Sequence, residues 1–115
     1  MRNMSFMLTT EQLRTRSKDV TRRIGWWNVM RGELVQAVMQ CQGLKKGETV
    51  TRLCVIKIVD ARSEPLNRIT AQDVAREGFP KLTKREFIDL FCRANKCKPD
   101  VVVNRIEFEY VKEAA

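Results

Sequence analysis

Thr49-Val50-Thr51-Arg52-Leu53-Cys54-Val55-Ile56-Lys57-Ile58-Val59-Asp60 is the strongest strand signal in the chain. It is rich in Val, Ile and Thr, the residues that suit a pleated, half-covered surface. Its near-continuous apolar run Leu53-Cys54-Val55-Ile56 fits a strand covered on both faces. Glu64-Pro65 marks its end, because proline has no N–H to give to a strand ladder. Two further runs join it. In Glu33-Leu34-Val35-Gln36-Ala37-Val38, Val35 and Ala37 share one face and Leu34, Gln36 and Val38 the other. In Val101 to Val111, Ile106, Phe108 and Tyr110 alternate with Arg105, Glu107 and Glu109. The three runs predict strands near 33–39, 49–60 and 101–111 in one curved sheet.

Helices fill the gaps. Thr9 or Thr10 offers an N-cap for a short helix over Glu11 to Ser17, and Phe6-Met7-Leu8 before it reads as a possible first strand. Thr70 and Asp73 resemble a capping box, so Ala71 to Arg76 reads as a helix stopped by Gly78. Thr83, with Glu86 three residues on, opens a helix from Lys84 to about Lys96. Phe87, Ile88, Leu90, Phe91 and Ala94 recur there at helical spacing, and Pro99 bars continuation. Strands at both ends with helices between predict an α+β fold, a small barrel-like sheet with helices to one side.

The chain has 115 residues, room for one domain over 1–115. Lys and Arg number 22 against 14 Asp and Glu, a formal charge of +8, which favours a polyanionic partner such as nucleic acid. A soluble surface that is merely basic is the alternative. There is no histidine, which removes Ser-His-Asp and Cys-His chemistry and leaves Lys, Glu, Asp, Tyr or Cys for proton transfer. The cysteines are Cys41, Cys54, Cys92 and Cys97. Met1 to Leu8 does not read as a signal peptide, so a reducing, cytoplasmic compartment and free thiols are expected, with no metal and no cofactor. No apolar run approaches a membrane span.

Three motifs carry a family resemblance. Lys18-Asp19-Val20-Thr21-Arg22-Arg23 is similar to the Lys-x-x-Thr-x-Arg segment of ASCH domains, a branch of the PUA-like superfamily. Arg31-Gly32-Glu33-Leu34-Val35 resembles the Gly-Asp/Glu turn that opens the family's next strand, and Ile106-Glu107-Phe108 its closing strand. The motifs occur in order, and the resemblance spans about residues 5 to 111. It implies a PUA-like β-barrel with flanking helices and a cleft lined by the Lys-x-x-Thr-x-Arg segment. It also implies RNA or a modified nucleoside as partner, with RNA binding, RNA cleavage or deacetylation of a nucleoside as activities. The bacterial acetylcytidine amidohydrolases of this group use Lys, Thr and Glu. By resemblance these are Lys18, Thr21 and Glu77. The chain departs from the pattern in three places: Arg16 stands where a Gly is usual, Asp19 where a Thr is frequent, and Trp26-Trp27 where those hydrolases have polar residues, so the pocket should differ. Asp19 is placed to pair with Lys18 and keep it charged, which would make it a poor base.

The residues themselves set conditions on that chemistry. A threonine hydroxyl is a weak nucleophile and needs a base, and without histidine a lysine of lowered pKa is the candidate. Residues three apart in an extended segment face opposite ways, so Lys18 and Thr21 converge only across a bend. Otherwise the segment is a solvated basic turn. Trp26 or Trp27 is expected to stack on a base, one of the pair at most, while Arg22, Arg23 and Arg31 hold phosphates. Plugging one end of the barrel is the other reading of the tryptophans. Lys45 and Lys46, in the Gly43 to Glu48 loop, could touch phosphate or simply be solvated. The functional classes that remain are an RNA-binding module, a small amidohydrolase or ribonuclease, and a protein-interaction regulator.

Overall fold

The computed structural model describes residues 1–40 and 47–112. Within these described residues five strands form one sheet in the order β1-β3-β4-β5-β2: β1 Arg2–Ser5, β2 Val20–Arg23, β3 Leu34–Val38, β4 Arg52–Pro65 and β5 Val102–Tyr110. Three α-helices flank it: α1 Thr10–Arg14, α2 Ala71–Arg76 and α3 Lys84–Asn95. Only β1 and β3 pair in parallel.

β4 organises the sheet. Its first half pairs with β3, from Lys57↔Leu34 to Arg52↔Val38, and its second half with β5, from Ile56↔Tyr110 to Pro65↔Val102. The register shifts between Ile58 and Asp60 on one side and between Ala37 and Val38 on the other. An extra residue on one strand bends it and increases its twist, which curls the sheet into an open half-barrel. β1 and β2 are left at its two edges.

Two apolar cores result. Met4, Phe6, Leu13, Val35, Ala37, Ile56, Ile58, Ile106 and Phe108 fill the inner curve of the sheet. Leu66, Ile69, Val74, Phe87, Phe91 and Val103 form a second core that joins α2 and α3 to β5. The alternation of Ile106 and Phe108 places these two in the first core, while Val103 turns to the second.

Several expected boundaries move. Phe6-Met7-Leu8 is not a strand. The N–H of Phe6 makes a bond to the Val38 carbonyl, its ring enters the core, and Met7–Thr9 coil into a 3-10 turn. The first strand is the polar stretch before it, Arg2–Ser5. The long strand begins at Arg52 and runs through Glu64-Pro65. Pro65 is its last residue, a position where a missing N–H costs no ladder bond. The helices match more closely: Thr83 and Glu86 form a reciprocal capping box on α3, which ends at Lys96 in a left-handed conformation. Thr70 caps α2 by accepting from the Asp73 N–H. The Asp73 carboxylate, however, bonds Arg22 and Arg105.

Candidate functional site

Lys18 lies just before β2, and its side chain is fully buried. Its Nζ donates to Glu77 Oε1 at 2.7 Å and to the Glu77 carbonyl at 2.9 Å. Glu77 is the C-cap of α2, and Gly78 follows it with φ +99°. A side chain at Gly78 would sit 2.6 Å from Gln12 Cγ and 3.4 Å from Lys18 Cβ. Only glycine allows the helix to end this tightly against α1 and the Lys18 stem. The Tyr110 hydroxyl donates to the Lys18 carbonyl from the last residue of β5. Burial pushes that phenol up to about 12, with Cys54 and Asp19 adding, so it stays protonated as a donor.

Asp19 does not pair with Lys18. It takes Arg76 at 3.0 Å and 3.3 Å, because the chain turns into β2 and sends consecutive side chains to opposite sides. The expectation that Asp19 keeps Lys18 charged is therefore replaced by a different balance. Burial pushes the Lys18 amine below its ordinary value, Glu77 opposes this, and Arg23 and Arg22 reinforce it. In its neutral form this amine would keep two N–H groups for the two Glu77 acceptors. Its lone pair would then be left over.

Lys18, Thr21, Arg22, Arg23, Trp26 and Glu77 line one cleft of about 320 Å³. Lys18 and Thr21 meet there because Lys18 precedes the strand that carries Thr21. Thr21 is buried, and its Oγ accepts from Arg23 Nε at 3.2 Å. The Arg23 guanidinium lies 4.6 Å over the Phe6 ring. No hydrogen bond joins Lys18 Nζ to Thr21 Oγ among those of the described residues.

Trp26 follows Gly25, and both have positive φ, +58° at Trp26 and +122° at Gly25. A bulky residue in this region is a local strain that its surroundings must hold. Asn104 Nδ2 donates to the Trp26 carbonyl at 2.8 Å, and the Arg2 guanidinium stacks 4.6 Å from the indole. Of the pair, Trp26 lines the cleft, while Trp27 is exposed outside it. Arg31 also lies outside, 3.5 Å from Asp60. Lys45 and Lys46 fall outside the described residues.

Two groups of site residues went unread in the sequence. The far wall of the cleft is α3, through Phe87, Leu90, Phe91, Ala94 and Asn95, with Phe79 beside it. The cleft thus opens at the seam of the two cores. The second group is a buried ion network. Arg22 bonds Glu77 at 3.1 Å, Asp73 at 2.6 Å and Glu64 at 3.2 Å, and Arg105 grips Asp73 with two bonds of 2.7 Å and 3.1 Å. Arg105 and Arg22 hold the Asp73 carboxyl far below the usual carboxylate range.

Among the described residues no group of three or more His, Cys, Asp or Glu is placed to hold a metal, and no helix is long and apolar enough to cross a membrane. Cys54 packs against the first core, while Cys92 and Cys97 pack against the second. Cys92 and Cys97 are free thiols, and Cys41 falls outside the described residues.

No family model matches the chain, and no curated protein matches it. Solved structures do. A crystal structure of a DUF984 protein from Enterococcus faecalis V583 superposes with a TM-score of 0.66 at 14% identity, covering 96% of this chain and 76% of that one. The ASCH domain from Lactobacillus crispatus JV V101 superposes with a TM-score of 0.60 at 13% identity, covering 95% and 78%. With these likenesses over nearly its whole length, the chain has the fold of the ASCH domains, a PUA-like α+β half-barrel.

Proposed function

We propose that the cleft beside β2 binds a single nucleobase, presented by single-stranded RNA or as a modified nucleoside. One observation carries this reading: aromatic walls and cationic groups share one space. Trp26, Phe79, Phe87 and Phe91 offer faces or edges to a planar ring, and the Arg22 and Arg23 guanidinium groups stand at the same cavity. Its volume is at the small end of the range of about 300–1,000 Å³ for small-molecule pockets. Stacking on an aromatic face is the usual means by which proteins hold an unstacked base, and the +8 charge suits the phosphates on either side.

The binding test is affinity for short single-stranded RNA and for free cytidine and acetylcytidine, measured by calorimetry on wild type, Arg23→Ala and Trp26→Ala. Both variants are expected to weaken binding, Trp26→Ala by about 1–3 kcal/mol if the indole stacks. Binding unchanged in both variants would remove the cleft from the interaction.

A second reading, hydrolysis of an amide or ester on that base, is favoured by a buried lysine, pushed down from its ordinary value, that lines the same cleft as Thr21 and Glu77. In it the Thr21 hydroxyl attacks the acyl carbonyl and its proton passes to the Lys18 lone pair. The proton then goes to the leaving amine, and water later releases the acyl group from Thr21. Arg23 accommodates this order, since it donates to the Thr21 oxygen and leaves the hydroxyl proton free. Acetate release from acetylcytidine, abolished by Thr21→Ala while binding is kept, is the expected result. A wild type that releases none leaves binding alone.

A further inference from the structure

We infer that Arg22 is a positioning residue: it fixes the Glu77 carboxylate so that one oxygen and the Glu77 carbonyl are both presented to the Lys18 amine. This rests on the reading of the cleft above only for what Lys18 does there; the geometry of Arg22 stands by itself.

The pairing is divided between the two oxygens of Glu77. Oε1 takes Lys18 at 2.7 Å, and Oε2 takes Arg22 Nη1 at 3.1 Å. A carboxylate held at one oxygen alone can rotate about its last bond, but one held at both cannot. The other end of the same guanidinium, Nη2, takes Asp73 at 2.6 Å and Glu64 at 3.2 Å. Asp73 and Glu77 lie one helical turn apart, so Arg22 bridges the first turn and the cap of α2 from the strand beneath.

Anchoring α2 to the sheet would explain Arg22 if nothing else did that work. Arg105 does: it grips Asp73 through two bonds and does not touch Glu77. The two arginines are cross-strand neighbours in register, so the task is split between adjacent positions. The pose of Arg22 also leaves its Nε–H buried with no acceptor. The side chain therefore keeps its Nη contacts, including that to Glu77, at the cost of one unmet donor.

The charged groups that face Lys18 are Glu77 at the end of α2 and Arg22 and Arg23 on β2. Asp73, Glu64 and Arg105 stand behind Arg22. Removing Arg22 takes away a cation that pushes the amine down and leaves Glu77 with Lys18 as its remaining buried ion partner. Both changes favour the charged amine. A packing role alone predicts lost stability but no directed change in that titration.

The test is the titration of Lys18 in the full chain, read by NMR of isotope-labelled lysine side chains and assigned with Lys18→Arg. In Arg22→Met the Lys18 midpoint is expected to rise by about one unit or more. In Arg105→Met, which removes the anchor and not the contact, it is expected to stay within about 0.3 units of wild type, since Arg105 does not touch Glu77. A folded Arg22→Met protein with an unmoved midpoint overturns the assignment, and so does an equal rise in Arg105→Met. If Arg22→Met does not fold, Arg22→Lys decides. Its ammonium keeps the charge but lacks the two separate nitrogens that reach Glu77 and Asp73, so a smaller rise is expected and no rise overturns the assignment. The measurement needs no ligand. A null result here leaves the base-binding reading intact, and a failure to bind any base leaves this result intact.

Discussion

Lys18 and Glu77 are separated by 59 positions in the chain and by 2.7 Å in the fold. Nothing local in the sequence joins them. They were legible as a pair only through the resemblance, which put a lysine, a threonine and a helix-end glutamate in one cleft. The ion network behind them was not legible, because Asp73 sits at the third helical position and reads as a cap. Its backbone fills that role while its carboxylate serves Arg22 and Arg105. That double duty gives a pH signature. The Asp73 pKa is depressed below 3.8 in the folded state, so its stabilisation is complete above that unfolded value and is lost progressively as pH falls from there towards the lower folded pKa. Asp73→Asn should lower stability at neutral pH by about 3 kcal/mol, because two buried guanidinium groups lose their shared carboxylate. The gap between wild type and variant in urea unfolding should then shrink from pH 7 to pH 3. A gap that stays constant would show that Asp73 titrates normally.

The elements show the same mixture of legible and hidden. α3 was readable from its cap and its aromatic stripe, but a stripe at helical spacing ordinarily means core. Nothing in the spacing tells that Phe87 and Phe91 also face a cleft. The edge strand Arg2–Ser5 was missed because four residues with one buried methionine carry little alternation. Two substitutions separate the roles of helix ends. Thr83→Ala removes the exposed cap of α3 and should cost about 1 kcal/mol with little effect on the site. Gly78→Ala forces a methyl group to within 2.6 Å of Gln12 in a backbone region that disfavours side chains. It should cost on the order of 1–3 kcal/mol and also weaken ligand binding, because Glu77 is the adjacent residue. Thermal unfolding and affinity measured side by side check both, and equal effects on affinity would contradict the distinction.

For the molecule as a whole, the sheet curls at two bulges, α1 packs into the first core and α2 and α3 into the second, and the cleft is left where the two cores meet. The formal charge of +8 belongs to this scale. If RNA lies across the cleft mouth, affinity should fall steeply with salt, with a slope reporting the phosphates neutralised, about 0.7 per contact for a single strand. A flat dependence between low and physiological salt would point to an uncharged nucleoside or to no polyanion at all. The base-binding cleft is the central claim, and amide and side-chain NMR shift mapping with a short cytidine-containing single-stranded RNA at low salt tests it most directly. The largest shifts are expected on Thr21, Arg23, the Trp26 indole and the Phe87–Asn95 face of α3, while Trp27 and Arg31 move little. Largest shifts on Trp27 and Arg31 with a silent cleft, or no shifts with any RNA or nucleoside, would contradict it.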